Sequence, residues 1–171
     1  GIVEHFGNIV RPDTLMGTLS KALGAEGGYA CASKVIIEYL KNKARSFIFA
    51  TSQTPATLAA ALRATEVLEE EPQRAQMLQH NVKFFLNALH AEGVEAYSPT
   101  AIIPIIIGDE KSALQVADEL LANGVLAPAI RYPTVAKGTA RLRVALMATH
   151  TEAELSQTAK LIGAAIRKYK K

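Results

Sequence analysis

Residues 16–28 read Met16-Gly-Thr-Leu-Ser-Lys-Ala-Leu-Gly-Ala-Glu-Gly-Gly28. Lys21 comes just after the short apolar run Asp13-Thr-Leu-Met16, and Ser, Thr, Ala and Gly surround it, so few bulky side chains screen its amine. Glycines let backbone approach a ligand closely, and hydroxyls with backbone N–H groups can hold a phosphate. Imine chemistry needs a lysine amine that gives up its proton readily, and a partly desolvated pocket supplies that condition. The competing reading is an exposed lysine in a flexible glycine loop. A nucleotide-type phosphate loop is not met: its glycine–lysine order is missing, and so is the Gly-x-Gly-x-x-Gly fingerprint.

On either side of this loop, strand-like and helix-like patterns alternate. Asp13–Met16 and Gly28–Ser33 read as short strands, and a helix runs from Ser33 to about Lys43 with Ile36, Ile37 and Leu40 apolar. Ser46-Phe-Ile-Phe-Ala-Thr51 reads as a third strand. Thr54 and Pro55 form an N-cap and a proline at the first helical position. The helix they open ends at Glu69-Glu-Glu-Pro72, because proline disfavours helix in the residue before it. A second helix carries Leu78, Val82, Phe85 and Leu89 on one face and stops at Gly93.

From Val94 the texture changes. Ala101-Ile-Ile-Pro-Ile-Ile-Ile107 is a β-branched strand whose Pro104 predicts an edge position or a bulge. A helix follows from about Lys111 to Ala122, with Leu114, Ala117 and Leu121 on one face. Val125–Ile130 and Arg141–Met147 read as two further strands. The last helix starts after Thr151 with Glu154 completing a capping box, and Leu155, Ala159, Ile162 and Ile166 form its apolar face. A boundary is expected near residues 91–99, with strand–helix units of a larger parallel or mixed sheet before it and a compact β-α-β-β-α unit after it. The strands of the first part are apolar throughout, as though buried on both faces, yet too few elements accompany them to cover such a sheet. The chain also opens at Gly1-Ile-Val-Glu-His without an initiator methionine, so a piece of a longer protein is expected.

A length of 171 residues, 49% of them hydrophobic, and a mean hydropathy of +0.12 suit a packed chain rather than a disordered one. No apolar run reaches the roughly 18–20 residues that span a bilayer, and no signal peptide is recognisable, so a cytoplasmic location without membrane contact is expected. Cys31 is the only cysteine, which rules out an intrachain disulfide and a thiolate-rich metal site; it reads as a buried small hydrophobe. The net charge of +3 is modest. Its basic tail, Arg167-Lys-Tyr-Lys-Lys171, suits a solvated helix end, and no basic stripe with interleaved aromatics points to nucleic acid.

Thr18-Leu-Ser-Lys-Ala-Leu-Gly24, with Gly27-Gly28 after it, resembles the lysine signature of class II aminotransferase-like enzymes that use pyridoxal 5'-phosphate (PLP). More narrowly it resembles the α-oxoamine synthases. The resemblance runs in register through Arg45-Ser-Phe-Ile-Phe-Ala-Thr51, Ala129-Ile-Arg-Tyr-Pro-Thr-Val135, Gly138-Thr-Ala-Arg-Leu-Arg-Val144 and Ala148-Thr-His-Thr151, so it covers nearly the whole chain. It implies an α/β fold: part of a PLP-transferase type I (aspartate aminotransferase-like) large domain over residues 1–93, then a small α+β C-terminal domain over 94–171. It further implies a homodimer.

Carried onto this sequence, the resemblance makes Lys21 the residue that holds PLP covalently and shuttles the α-proton. Thr18 would bind the cofactor phosphate, and Thr51 would reach the phosphate of the neighbouring subunit's cofactor; a plain strand-end threonine is the alternative for Thr51. Arg141 and Arg143 share one strand face by period two, and either guanidinium could grip a substrate carboxylate bidentately. The resemblance selects Arg143. His150 is expected to support packing or cap the last helix, and no metal is expected.

The implied reaction joins an amino acid to an acyl-CoA with loss of CO2. Residues 129–135 and 139–144 look most like the biotin-pathway members, which use L-alanine and pimeloyl-CoA or its carrier-protein thioester, although Tyr132 stands where they more often have proline. Glycine C-acetyltransferase is the alternative enzyme, and a non-catalytic structural or dimerisation fragment is the alternative of another class. The Asp that pairs with the PLP ring nitrogen and the His that stacks on the ring would lie ahead of residue 1, and the electron sink needs that partner. The 171-residue chain alone is therefore expected to be inactive with PLP, L-alanine and acyl-CoA. Efficient turnover in an assay of the isolated chain would contradict this.

Overall fold

In the computed structural model, which describes residues 2–7 and 9–169, the chain forms two compact units, one ending at Glu71 and the other beginning at Pro72. Lys170 and Lys171 of the basic tail, and Gly1, lie outside the described residues. In the first unit a short helix, α1 (Ile2–His5), precedes two strands, β1 (Thr14–Thr18) and β2 (Gly28–Ala32). The strands pair antiparallel, with Gly17 opposite Tyr29 and Thr18 opposite Gly28. A Cβ on Gly17 would run into the Tyr29 ring, so glycine at 17 is what lets that ring lie across the ribbon. Both strands are largely exposed, and so is Cys31. This corrects the expectations of strands covered on both faces and of a buried cysteine: a two-stranded ribbon has no second layer to cover it.

Helix α2 (Lys34–Lys43) begins where the sequence places it, with Ser33 accepting from the Ile36 N–H. The expected strand over residues 46–51 is instead a single helical turn, α3 (Arg45–Ile48), closed by the Phe49 N–H donating to Arg45 O at 3.0 Å and followed by irregular chain. Apolar runs this short fit helix and strand equally by periodicity, and the ribbon takes up no third strand. Helix α4 (Pro55–Glu70) starts at the expected cap, where Thr54 Oγ1 accepts from the Thr57 N–H at 3.2 Å.

The second unit carries the core. It consists of α5 (Gln73–Ala91), β3 (Ile102–Gly108), α6 (Glu110–Ala122), β4 (Ala129–Ile130), β5 (Ala140–Ala145) and α7 (Glu152–Tyr169). The sheet is antiparallel in the order β3-β5-β4, so Pro104 sits on an edge strand, where its missing N–H costs no ladder bond; it lies opposite Arg143. Alternation sends Ile103, Ile105, Ile107, Leu142 and Val144 to one face, against α6, with α7 packed on α5 and α6. Helix α5 adds Val82, Phe85 and Leu89 to the same core. It therefore packs with the second unit, and the chain divides at Glu71–Pro72, ahead of the division expected at residue 93 by the length of that helix.

Two details differ from the sequence reading. The buried stripe of α6 is Ala113, Val116 and Leu120, while Leu114 and Leu121 are exposed. Both stripes are apolar at helical spacing, and the direction of the sheet decides which one is buried. The strand expected over 125–130 contracts to Ala129–Ile130, since Pro128 has no N–H to give a ladder; its carbonyl accepts from the Arg143 N–H at 2.9 Å.

The turn before α7 is fixed from two sides. Thr151 and Glu154 form the expected capping box, with Glu154 Oε2 accepting from the Thr151 N–H at 2.8 Å. Buried Asn81, on α5, donates its amide to Met147 O and His150 O, each at 3.0 Å. Replacing Asn81 by Leu strands those carbonyls, and the expected loss is about 2 kcal/mol in a urea unfolding titration. A change below about 0.5 kcal/mol would mean that water serves the carbonyls equally well.

Candidate active site

Lys21 lies in the loop that joins β1 to β2. That loop is tied by its own backbone: Leu19 N–H donates to Gly27 O, Ala25 N–H to Leu19 O, and Gly24 N–H to Lys21 O, at 2.9, 2.9 and 3.0 Å. The path needs positive φ at Gly24 (+61°) and Gly27 (+106°), the second of which an L side chain rarely adopts. Ala25 is buried under the loop, whereas Lys21 itself is exposed. The partly desolvated pocket expected around the lysine is thus not formed within this unit, where the Lys21 side chain stands exposed.

Thr18 closes β1 three residues before Lys21, so the structure places both on one hairpin. Thr51 lies on the irregular segment between α3 and the Thr54 cap, exposed, at no strand end. Among the described residues, the Lys21 amine has no ion pair, and the hydroxyls of Thr18, Ser20 and Thr51 have no hydrogen-bond partner. On the hairpin, an unpaired primary amine, the Thr18 and Ser20 hydroxyls and a glycine-shaped backbone make up donors of the kind that an aldehyde carrying a phosphate would use.

In the second unit, the sheet face turned away from the helices forms a groove of about 390 Å³. Arg141 and Arg143 project into it beside Tyr97, Ile102, Pro104 and Ile130. The two arginines differ. Arg141 is half-buried and spends its Nε–H on Thr139 O at 3.0 Å, while Arg143 is exposed and its guanidinium has no ion pair or hydrogen bond among the described residues. Only Arg143 keeps its whole fork for a ligand. Tyr97, Ile102 and Ile130 escaped the sequence reading, though the alternation of Ile102 and Pro104 with buried isoleucines already marked one outward face. His150 Nδ1 accepts from the Met147 N–H at 3.2 Å, a structural role in the turn before α7.

Among the described residues there is no cluster of three His, Cys, Asp or Glu side chains able to hold a metal, and no helix long and apolar enough to cross a membrane.

The sequence pattern of the family described as aminotransferase class I and II matches residues 6–162. An 8-amino-7-oxononanoate synthase of Bacillus subtilis (strain 168) is 48% identical over 163 residues, which are 95% of this chain and 42% of that protein. The chain therefore spans less than half the length of that relative. Among solved structures, serine palmitoyltransferase from S. paucimobilis with a bound PLP–myriocin aldimine superposes with a TM-score of 0.89 at 26% identity, over 99% of this chain and 43% of that one. The 8-amino-7-oxononanoate synthase of Francisella tularensis gives 0.78 at 29% identity, over 91% and 46%.

Proposed function

The chain belongs to the aminotransferase class I and II family, and on that footing we propose that it is the C-terminal portion of a PLP-dependent acyltransferase of the 8-amino-7-oxononanoate synthase kind. Its mixed α/β structure is part of a PLP-transferase type I fold. The parent enzyme condenses L-alanine with pimeloyl-CoA, or the corresponding carrier-protein thioester, and releases CO2, a step of biotin biosynthesis. The observation that carries this reading is the 48% identity to the B. subtilis enzyme across 95% of the chain, both units included.

Bound PLP supplies an electron sink for a carbanion at the amino acid's α-carbon. The residues of this chain would supply part of the positioning. Lys21 Nζ would tether the cofactor and move the proton at the α-carbon, from a loop whose backbone is tied by its own hydrogen bonds. The Thr18 hydroxyl donates to the cofactor phosphate from the same hairpin, and Thr51 reaches the phosphate of a neighbouring subunit's cofactor in a homodimer. Arg143 holds the substrate carboxylate with its free fork.

Glycine C-acetyltransferase would use the same residues, so the substrates decide between the two. The parent enzyme is expected to release CO2 from L-alanine with pimeloyl-CoA. Activity confined to glycine with acetyl-CoA would assign the alternative, and activity with neither pair would leave a structural fragment. In the active enzyme, Arg143→Ala is expected to raise KM for the amino acid roughly ten- to hundredfold, the worth of a charge-assisted hydrogen-bonded pair. Arg141→Ala should change it by less than about threefold, because that side chain is already engaged. The reverse order would exchange their roles.

A further inference from the structure

Gln53 has no part in the chemistry described above, yet it meets the lysine loop. A Cβ built on Gly27 would stand 2.6 Å from Gln53 Nε2 and 3.1 Å from its Cδ, so the carboxamide lies directly against the Gly27 backbone. Gln53 is held in turn, because the next residue is the N-cap of α4: Thr54 Oγ1 accepts from the Thr57 N–H and bonds the Thr57 hydroxyl at 2.9 Å. On the other side of the contact, Gly27 O accepts from Leu19 N–H, and Leu19 O accepts from Ala25 N–H. A continuous chain of contacts therefore runs from the capped start of a 16-residue helix, through Gln53, to the loop that carries Lys21.

We propose that Gln53 is a positioning residue for Lys21: its side chain presses on Gly27 and keeps the positive-φ turn closed, which fixes where the lysine leaves the backbone. The contact works by shape, since Gln53 makes no hydrogen bond to the loop among the described residues. Thr51 lies two residues away on the same segment. The consequence for the lysine rests on the PLP reading above; the hold of Gln53 on the loop does not.

The test uses Gln53→Ala, which removes the contact, and Gln53→Met, which keeps its length and bulk without the amide. In the cofactor-free chain, amide hydrogen exchange at Leu19, Gly24 and Ala25 is expected to quicken about tenfold in Gln53→Ala and to stay near the original rate in Gln53→Met. In the PLP-loaded parent enzyme, the absorbance titration of lysine-bound PLP should shift by about one pH unit in Gln53→Ala and return in Gln53→Met. Unchanged exchange overturns the proposal. Faster exchange with an unmoved titration also overturns it, leaving Gln53 a purely structural residue. If the unaltered enzyme shows no lysine-bound PLP, the functional reading fails instead, while the exchange rates still decide whether Gln53 holds the loop.

Discussion

The site depends on a backbone constraint rather than on any charged pair. The loop between β1 and β2 can close only if residue 27 takes φ near +106° and residue 24 takes φ near +61°. With glycine at both positions, Leu19 N–H reaches Gly27 O and Ala25 N–H reaches Leu19 O. These bonds hold Lys21 at the outer edge of the ribbon with its amine unpaired. A β-branched residue at 27 would meet both the forbidden φ and the Gln53 carboxamide, and the lysine would lose its fixed origin. The glycine loop is therefore stiffer than its composition suggests: its own hydrogen bonds replace the packing that a bulky sequence would supply.

The second unit solves a different problem, which is how to present a cation on a sheet without burying it. An antiparallel sheet covered by helices on one side leaves its other face to solvent. Period-two alternation then assigns Leu142 and Val144 to the core and Arg141 and Arg143 to the open groove. The helices therefore stabilise the strand through one set of side chains while the other set stays free for a ligand. Arg141 turns back to the Thr139 carbonyl, which lines the groove with one committed guanidinium and one uncommitted one.

Much of this was legible in the sequence where local chemistry decides structure. Ser33, Thr54 with Pro55, and Thr151 with Glu154 announce helix starts because their side chains answer orphan N–H groups, and the structure places a helix at each. Pro104 announces an edge strand for an equally local reason. The failures share the opposite cause. Residues 46–51 lack a period that separates strand from helix, and α6 carries two apolar stripes whose choice depends on where the sheet lies. Cys31 and the ribbon strands look like core by composition, but burial is a property of neighbours, and the ribbon has none above it. Of the candidate site's local geometry, the glycine loop around Lys21 and the shared face of the two arginines were readable. The contact between Gln53 and Gly27 was not, since no local pattern records a meeting of residues that far apart.

The proposal that Lys21 carries PLP in the parent enzyme has a direct chemical test. Its most direct measurement is to load the parent enzyme with PLP, reduce it with borohydride, and locate the pyridoxyl group by peptide mass spectrometry. Label concentrated on Lys21 is the predicted result. Label spread over surface lysines with Lys21 unmodified would contradict the account, and with it the assignment of the cofactor.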